Sequence, residues 1–299
     1  MLMRDKEDME NPHFVLPILP LKISLVSLEE AHLPEFMGAM LRGAVGDALL
    51  SNREALTYLY DNRKLSGNQE DIVNPIVFTV PQLDDTIFHR GESLCFEILL
   101  LGDAARFSYA LVKALQDVGQ LAMGAWGHPF RLMKVTHSTD RRVIWQKGIY
   151  HPEAARSVLL PHRTLQDVKA VSVRICTPLR IRRDGALLET IDFLTLIRSI
   201  TRRIEALTAR YGGFVDIKEI ERLRALAAEV VTVRENLRIK EQSRYTNRQN
   251  KKLEFRGLEG SVRFAGDLTP FVPWLYAAQT LHIGRNTTFG MGQIDVEFV

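Results

Sequence analysis

Two rhythms of apolar and polar residues alternate along this chain. In "LPLKISLVSL" (19–28), "PIVFTV" (75–80), "SLCFEILLLG" (93–102) and "FRLMKV" (130–135), short apolar or alternating runs predict strands. Between them, "LPEFMGAMLRGAVGDALL" (33–50) and "AARFSYALVKALQDVGQLA" (104–122) carry apolar residues at helical spacing. Residues 51–75 read as a polar connection with "SGNQED" as its loop, and "RRVIWQKG" (141–148) as an added hairpin arm. Strand–helix–strand–strand–helix–strand is the order of a ferredoxin-like unit.

The order returns after residue 168. Val171, Val173, Ile175, Leu179 and Ile181 fall on one face of a strand over 171–181, and Ser172, Arg174, Cys176, Arg180 and Arg182 on the other. A helix follows whose stripe runs Ile191, Leu194, Ile197, Ile200, Ile204, Leu207, Tyr211 and which ends at Gly212-Gly213. A helical piece over about 217–229, strands over 230–240 and 257–266, a proline-started helix over 269–282 and the strand "QIDVEFV" complete the set. The expectation is an α+β chain of two tandem ferredoxin-like (βαββαβ, RRM-like) domains. A tail covers 1–17, the first domain 18–150, a linker 151–168, and the second domain 169–299 with a glycine-rich loop at 282–293.

In such a unit both helices cover one sheet face and leave the other open. The open face of the second domain would carry Arg174, Arg180, Arg182, Arg234 and Arg238. Either it meets phosphates, or it packs on the first domain and its arginines reach the rim. The loop "HIGRNTTFGMGQ" lies between a helix and a strand. That order, and the lack of Gly-Lys-Ser/Thr, exclude a P-loop and a dinucleotide fingerprint. Two readings stay open. Its backbone N–H groups hold phosphate with Arg285, Thr287 and Thr288, or its glycines serve a structural turn.

Composition adds bounds. With 299 residues, 46 % apolar and 25 % charged, the chain can bury a core without metal or disulfide. Its two cysteines, Cys95 and Cys176, lie in strand-like runs far apart, so no zinc site or other cofactor is expected. No apolar run is long enough for a membrane span, and the first residues lack the apolar core of a signal peptide, so a cytoplasmic protein is expected. The net charge of +3 is uneven. Residues 1–165 hold 17 basic and 20 acidic residues, and 166–299 hold 22 and 16. Arg234 to Arg256 alone carries eight basic and three acidic residues, which reads as a solvated surface or a polyanion footprint.

Four stretches then stand in one familiar order: "LPEFMGAMLRGAVGDAL", "GAWGHPFRLMKV", "SRYTNRQNKKLEFRGLEGSVRFAGDLTPFVPWL" and "LHIGRNTTFGMGQ". They resemble the CRISPR repeat-RNA processing endoribonucleases of the RAMP superfamily, from about residue 18 to 298. The resemblance implies two ferredoxin-like domains and binding of a CRISPR repeat RNA, often as a stem-loop. It also implies one cut without metal, and a product that enters an effector complex with other CRISPR subunits. A subunit that binds CRISPR RNA without cutting it is the alternative. Some relatives carry a cysteine cluster after the first helix, which this chain lacks.

Metal-free cleavage by a 2′-hydroxyl needs a base, an acid and a cation. Members place a histidine and a tyrosine around the first helix. Of the eight histidines, His32 just precedes that helix, and His89 precedes a turn that could face the same cleft. His282 borders the glycine-rich loop, while His128 and His137 read as turn and strand-end residues, and His13, His151 and His162 as tail and linker. The catalytic candidates are His32, Tyr60, His89 and Lys64. No histidine stands between 33 and 88, where some members have theirs. The RNA-binding candidates add Arg42, Arg244, Tyr245, Arg248, Gln249, His282, Gly284, Gly290 and Gly292 to the arginines and threonines already named.

Overall fold

The computed structural model describes residues 12–62, 73–183, 185–246 and 251–299, with backbone alone for 242–246 and 251–255. In the first unit, β1 (Pro17–Ser27) lies between β3 (Ser93–Leu101) and β4 (His128–His137), and β2 (Ile76–Thr79) pairs with β3. All pairings are antiparallel, giving the order β4-β1-β3-β2, and a strand at Val143–Gln146 extends the sheet beyond β4. Helices α1 (Gly38–Ala48), α2 (Arg53–Tyr60) and α3 (Ser108–Asp117) join the strands. Leu41, Val45, Leu59, Leu111 and Leu115 pack with Leu21, Ile23, Leu25, Ile98 and Leu100 of the sheet in one core.

The second unit repeats this arrangement. Strand β5 (Ala170–Leu179) is flanked by β7 (Lys251–Ala265) and β8 (Ile294–Phe298), and β6 (Val231–Thr246) pairs with β7, so the order is β6-β7-β5-β8. Helix α4 (Phe193–Tyr211) is capped by Asp192, whose carboxylate accepts from the Thr195 amide at 2.6 Å, and stops at Gly212. Helices α5 (Ile217–Leu226) and α6 (Val272–Leu281) follow, the second with Pro273 in its first turn. Both βαββαβ orders expected from the pattern are present.

The two sheets are not equivalent. Ile18, Val77, Leu99 and Leu101 of the first sheet share a core with Leu196, Ile200 and Leu207 of α4. The second unit's helix therefore covers the back of the first sheet at that end. The back of the second sheet is the open one. Strand pairing crosses between units as well, because Phe14–Val15 pairs with Phe214–Val215. Residues read as a tail and a linker belong to this joint: Phe14, Leu16, Leu160 and Val168 are buried in the second core, and Val158–Leu159 pairs with β1.

Three local readings change. Residues 51–75 contain α2, whose Ala55, Leu59 and Tyr60 are buried and whose start is capped by Asn52. Strand β5 ends at Leu179, with a register shift after Ile175 where Pro178 offers no donor. Arg180 and Arg182 thus leave the strand face, and Arg182 enters a separate hairpin. Finally, the β6–β7 ladder runs out to Thr246 opposite Lys251, well past the predicted strand ends.

The units also meet where α1 touches the glycine-rich loop. A Cβ added to Gly38 would overlap the Phe289 carbonyl oxygen, and one on Gly290 would strike Val80. Gly38→Ala must therefore push α1 and the loop apart. It should cost about 1–3 kcal/mol of stability, as overpacking does, measured by urea unfolding against the parent chain.

Candidate functional site

The segment between β1 and α1 carries a cluster of histidines. Residues 27–33 are held on both sides by backbone: Ser27 N–H donates to Glu92, Leu28 to Pro129 and Leu33 to Thr86. Ala31–His32 pairs with Ile87–Phe88, which sets His32 opposite Ile87 with His89 one residue beyond. Glu30 then lies between two rings, 3.4 Å from His32 Nε2 and 3.7 Å from His89 Nδ1. Both imidazoles are mostly exposed, at 60 % and 70 % of the side chain. His128 completes the group: its Nδ1 is 3.1 Å from Glu29, and its Nε2 accepts the His32 backbone N–H at 3.4 Å. His128 Nε2 is thereby an acceptor, so Nδ1 carries the proton toward Glu29. Among the described residues, His32 Nδ1 has no hydrogen-bond partner, so one nitrogen of that ring faces solvent.

The fold thus brings His32 and His89 together. His128, Glu29 and Glu30 were missed. The signal for His128 was the hairpin register, which pairs it with Met123 at the end of β4, rather than its place beside a proline. Tyr60 departs from its predicted role. It is 7 % exposed, its hydroxyl donates to the Arg42 carbonyl at 3.1 Å, and burial pushes its pKa up. A buried phenol already donating to backbone ties α2 to α1 and serves no acid–base step. Lys64, Arg248 and Gln249 lie outside the described residues, as do the side chains of Arg244 and Tyr245.

Arg42 is also drawn inward. Its guanidinium lies 4.6 Å from the Tyr60 ring centre and 4.4 Å from that of Phe289, and burial lowers its pKa. A cation between two rings is a clamp joining α1, α2 and the loop, not an RNA contact.

The loop itself is a lock. Its amides are used internally: Ile283 donates to Gly292, Arg285 to Arg180, Phe289 to Asn286, Gly290 to Thr287 and Gly292 to Pro178. The Thr177 hydroxyl donates to the Gly290 carbonyl and accepts from the Gln293 amide. Those amides are not available to a phosphate, and His282, Thr287, Gly290 and Gly292 are buried. Arg285 stays exposed and Gly284 and Thr288 half-exposed. Arg180, half-buried, has its pKa lowered by burial and then by the nearby charges of Arg182 and Arg285. Three guanidiniums therefore gather at the outer edge of the loop.

The open face of the second sheet keeps Arg174, Arg234 and Arg238 and adds Arg263. Arg234 stands directly opposite Arg263 across β6–β7, a like-charge pair that costs stability when bare. Acidic residues temper the face: Arg174 pairs with Asp295 at 2.8 Å and Lys240 with Glu259 at 3.5 Å. Among the described residues no group of His, Cys, Asp or Glu is arranged to hold a metal ion, and no helix is long and apolar enough to cross a membrane.

Beneath the loop lies a buried pair of bases. The Arg203 side chain donates from Nε to the last carbonyl of α6, at Leu281, at 2.9 Å. The helix dipole there favours a cation, yet burial still pushes its pKa down to about 10. His282 follows, fully buried, with Nε2 3.2 Å from the Thr79 hydroxyl of β2. Burial and then the Arg203 charge push its pKa down to about 3.

Comparison with known proteins fits this architecture. The model of the CRISPR-associated endoribonuclease Cas6 family matches residues 173–294, and a model described as an N-terminal domain, AF_1859_N, matches 16–159. No curated protein sequence matches the chain. The product complex of a Thermus thermophilus Cas6 aligns at 16 % identity and a TM-score of 0.57, over 94 % of this chain and all of that one. A second Cas6 product complex aligns at 21 % and 0.54, over 93 % of this chain and 100 % of that one. A chain of a partial Cas6-RT-Cas1–Cas2 complex aligns at 10 % and 0.64. That match covers 95 % of this chain and 46 % of the other, so this chain spans less than half its length. At these identities the likeness concerns the fold. The fold is thus that of a two-sheet Cas6-like α+β protein. Its second unit, over residues 173–294, matches the Cas6 family model.

His282 links the joint to pH. Its folded pKa is about 3, below the ordinary 6.5, so between these values the unfolded chain binds the proton and the folded chain does not. Its contribution is complete above pH 6.5 and fades as pH falls toward 3, at about 1.4 kcal/mol per unit. Urea unfolding at pH 7 and pH 5 should show a drop in stability larger by about 2 kcal/mol in the parent chain than in His282→Gln. Equal drops in the two proteins would place the ring in water.

Proposed function

We propose that this chain is an endoribonuclease that binds CRISPR repeat RNA and cuts it once per repeat without a metal. The observation that carries the reading is the exposed His32 and His89 pair on a shared Glu30, in a chain with the Cas6 signature. In this reading one imidazole takes the proton from the 2′-hydroxyl beside the scissile phosphate. The other gives a proton to the departing 5′-oxygen, leaving a 2′,3′-cyclic phosphate and a 5′-hydroxyl. Imidazole suits both roles because its ordinary pKa lies near neutrality. Glu30 fixes which nitrogen of each ring faces the substrate. The arginine group at 180, 182 and 285 and the open sheet face supply backbone contacts and offset phosphate charge. Arg244, Tyr245, Arg248 and Gln249 stay in this reading as RNA-binding candidates on the sequence alone. The product stays bound and passes to other CRISPR subunits.

The test is a labelled repeat RNA incubated in EDTA, beside the same RNA with a single 2′-deoxy nucleotide at the cut. The first should be cleaved and the second only bound. Tight binding of both with no cleavage would mean a subunit that holds CRISPR RNA, and no binding would sink both readings. His32→Ala should lower the single-turnover rate at least about 100-fold with binding unchanged, the size of a lost general acid or base. Affinity should fall steeply with added salt because phosphate contacts release counterions, and Arg182→Ala/Arg285→Ala should flatten that slope. A double variant with the parent's salt slope would remove the loop edge from the interface.

A further inference from the structure

Beside the histidine group stands a side chain that the fold itself does not use. Trp126 is 85 % exposed, whereas Trp145 and Trp274, the other two tryptophans, are 6 % and 0 % exposed. A bare indole is uncommon, because burying it would gain more than almost any other side chain. Nor is it carried on a loose loop. Met123 pairs with His128 to close a hairpin, and the turn between them, Gly124 to Gly127, has a left-handed glycine at each end, with φ of 75° and 70°. The Gly127 amide donates back to the Gly124 carbonyl. The turn also leans on the site. A Cβ at Gly124 would sit 3.7 Å from the His32 carbonyl oxygen and 3.6 Å from Leu33. The strand leaving the turn starts with His128, the acceptor of the His32 amide. The hairpin thus holds a flat aromatic surface in water, one turn away from the imidazoles.

We propose that Trp126 is a stacking platform for an unpaired base of the RNA substrate, next to the scissile phosphate. Single-stranded RNA offers a π-face on every base, and an aromatic side chain holds it without reading its identity. Stacking one base fixes the ribose beside it, and so decides which 2′-hydroxyl comes to His32. Trp126 is a positioning residue: it transfers no proton. This inference rests on the endoribonuclease reading and adds to it the place where the strand is held. An RNA contact is favoured over a protein one because the described neighbours of the turn are mainly the imidazoles of His32, His89 and His128, polar groups that a protein interface core excludes.

The test uses the whole chain and repeat RNA made uncleavable by 2′-deoxy substitution at the cut. With two tryptophans buried, quenching of fluorescence by acrylamide reports mainly on Trp126. Repeat RNA should shield that emission and quench it on stacking, and Trp126→Phe should abolish the change. With cleavable repeat, Trp126→Ala should lower single-turnover cleavage about tenfold to a hundredfold, the range for losing one stacked base, and blur the cut position. Trp126→Phe should restore most of the rate. An exposed turn residue leaves folding intact, so unfolding curves of the variants should overlay the parent's. If the parent binds and cuts the repeat while Trp126 stays open to acrylamide and Trp126→Ala cuts at the parent rate and place, the platform is ruled out and the enzyme reading stands. If the parent neither binds nor cuts, the enzyme reading itself has failed and the platform falls with it.

Discussion

The geometry of the whole chain depends on two backbones meeting with no side chain between them. Gly38, at the start of α1, lies against the carbonyl of Phe289, and Gly290 lies against Val80 beyond β2. These contacts press the loop at 282–293 onto the first unit while Thr177, Pro178 and Arg180 hold it to the second. A dense joint of this kind transmits displacement and does not absorb it. The loop therefore acts as a rivet between two βαββαβ units. Its glycines are needed for close approach, and the arginines at its edge inherit a fixed position from it.

The polar groups under the rivet follow from the same constraint. A loop packed this tightly leaves the end of α6 without water, and its last carbonyl needs a donor. Arg203 supplies one, at the cost of an unsolvated cation. The next ring, His282, then has to stay neutral, since a second buried charge beside Arg203 would be repelled. Its Nε2 lies against the Thr79 hydroxyl of the first unit. The joint is apolar where backbones touch, and the ring beside Arg203 is kept neutral.

Much of this was readable in the residues. Both strand–helix orders follow from periodicity, and the alternation of Arg174 with Val173 and Ile175 places that arginine on the open face. Arg180 and Arg182 were misplaced because Pro178 and the register shift change the parity, and parity is all that alternation provides. Helix α2 was hidden in a polar stretch because eight residues with three buried positions make a weak stripe. The histidine group was half legible. His32 and His89 were named singly, but their common carboxylate needs the pairing of residues 31–32 with 87–88, which sequence distance conceals. Tyr60, Arg42 and His282 were misjudged for one reason: a polar or aromatic side chain can be spent inside a joint that no local pattern announces.

The division between units explains why the joint must be stiff. The imidazoles belong to the first unit, and the arginines that would hold a polyanion belong to the second and to the loop. An RNA strand bound by the second unit reaches the imidazoles in a usable position only if the two surfaces keep one spacing. A displacement of about 1 Å is enough to cost a hundredfold in such chemistry. A flexible linker between two folded units would not hold that spacing. The chain instead threads its first described residues into the second core at Phe14 and Leu16, returns through Leu160 and Val168, and closes with the loop on α1. Three separate crossings fix both the distance and the rotation between sheets, which a single connection leaves free. In the proposed reading the apolar burial at the joint is thus part of the site, since it sets where the arginines stand relative to the imidazoles.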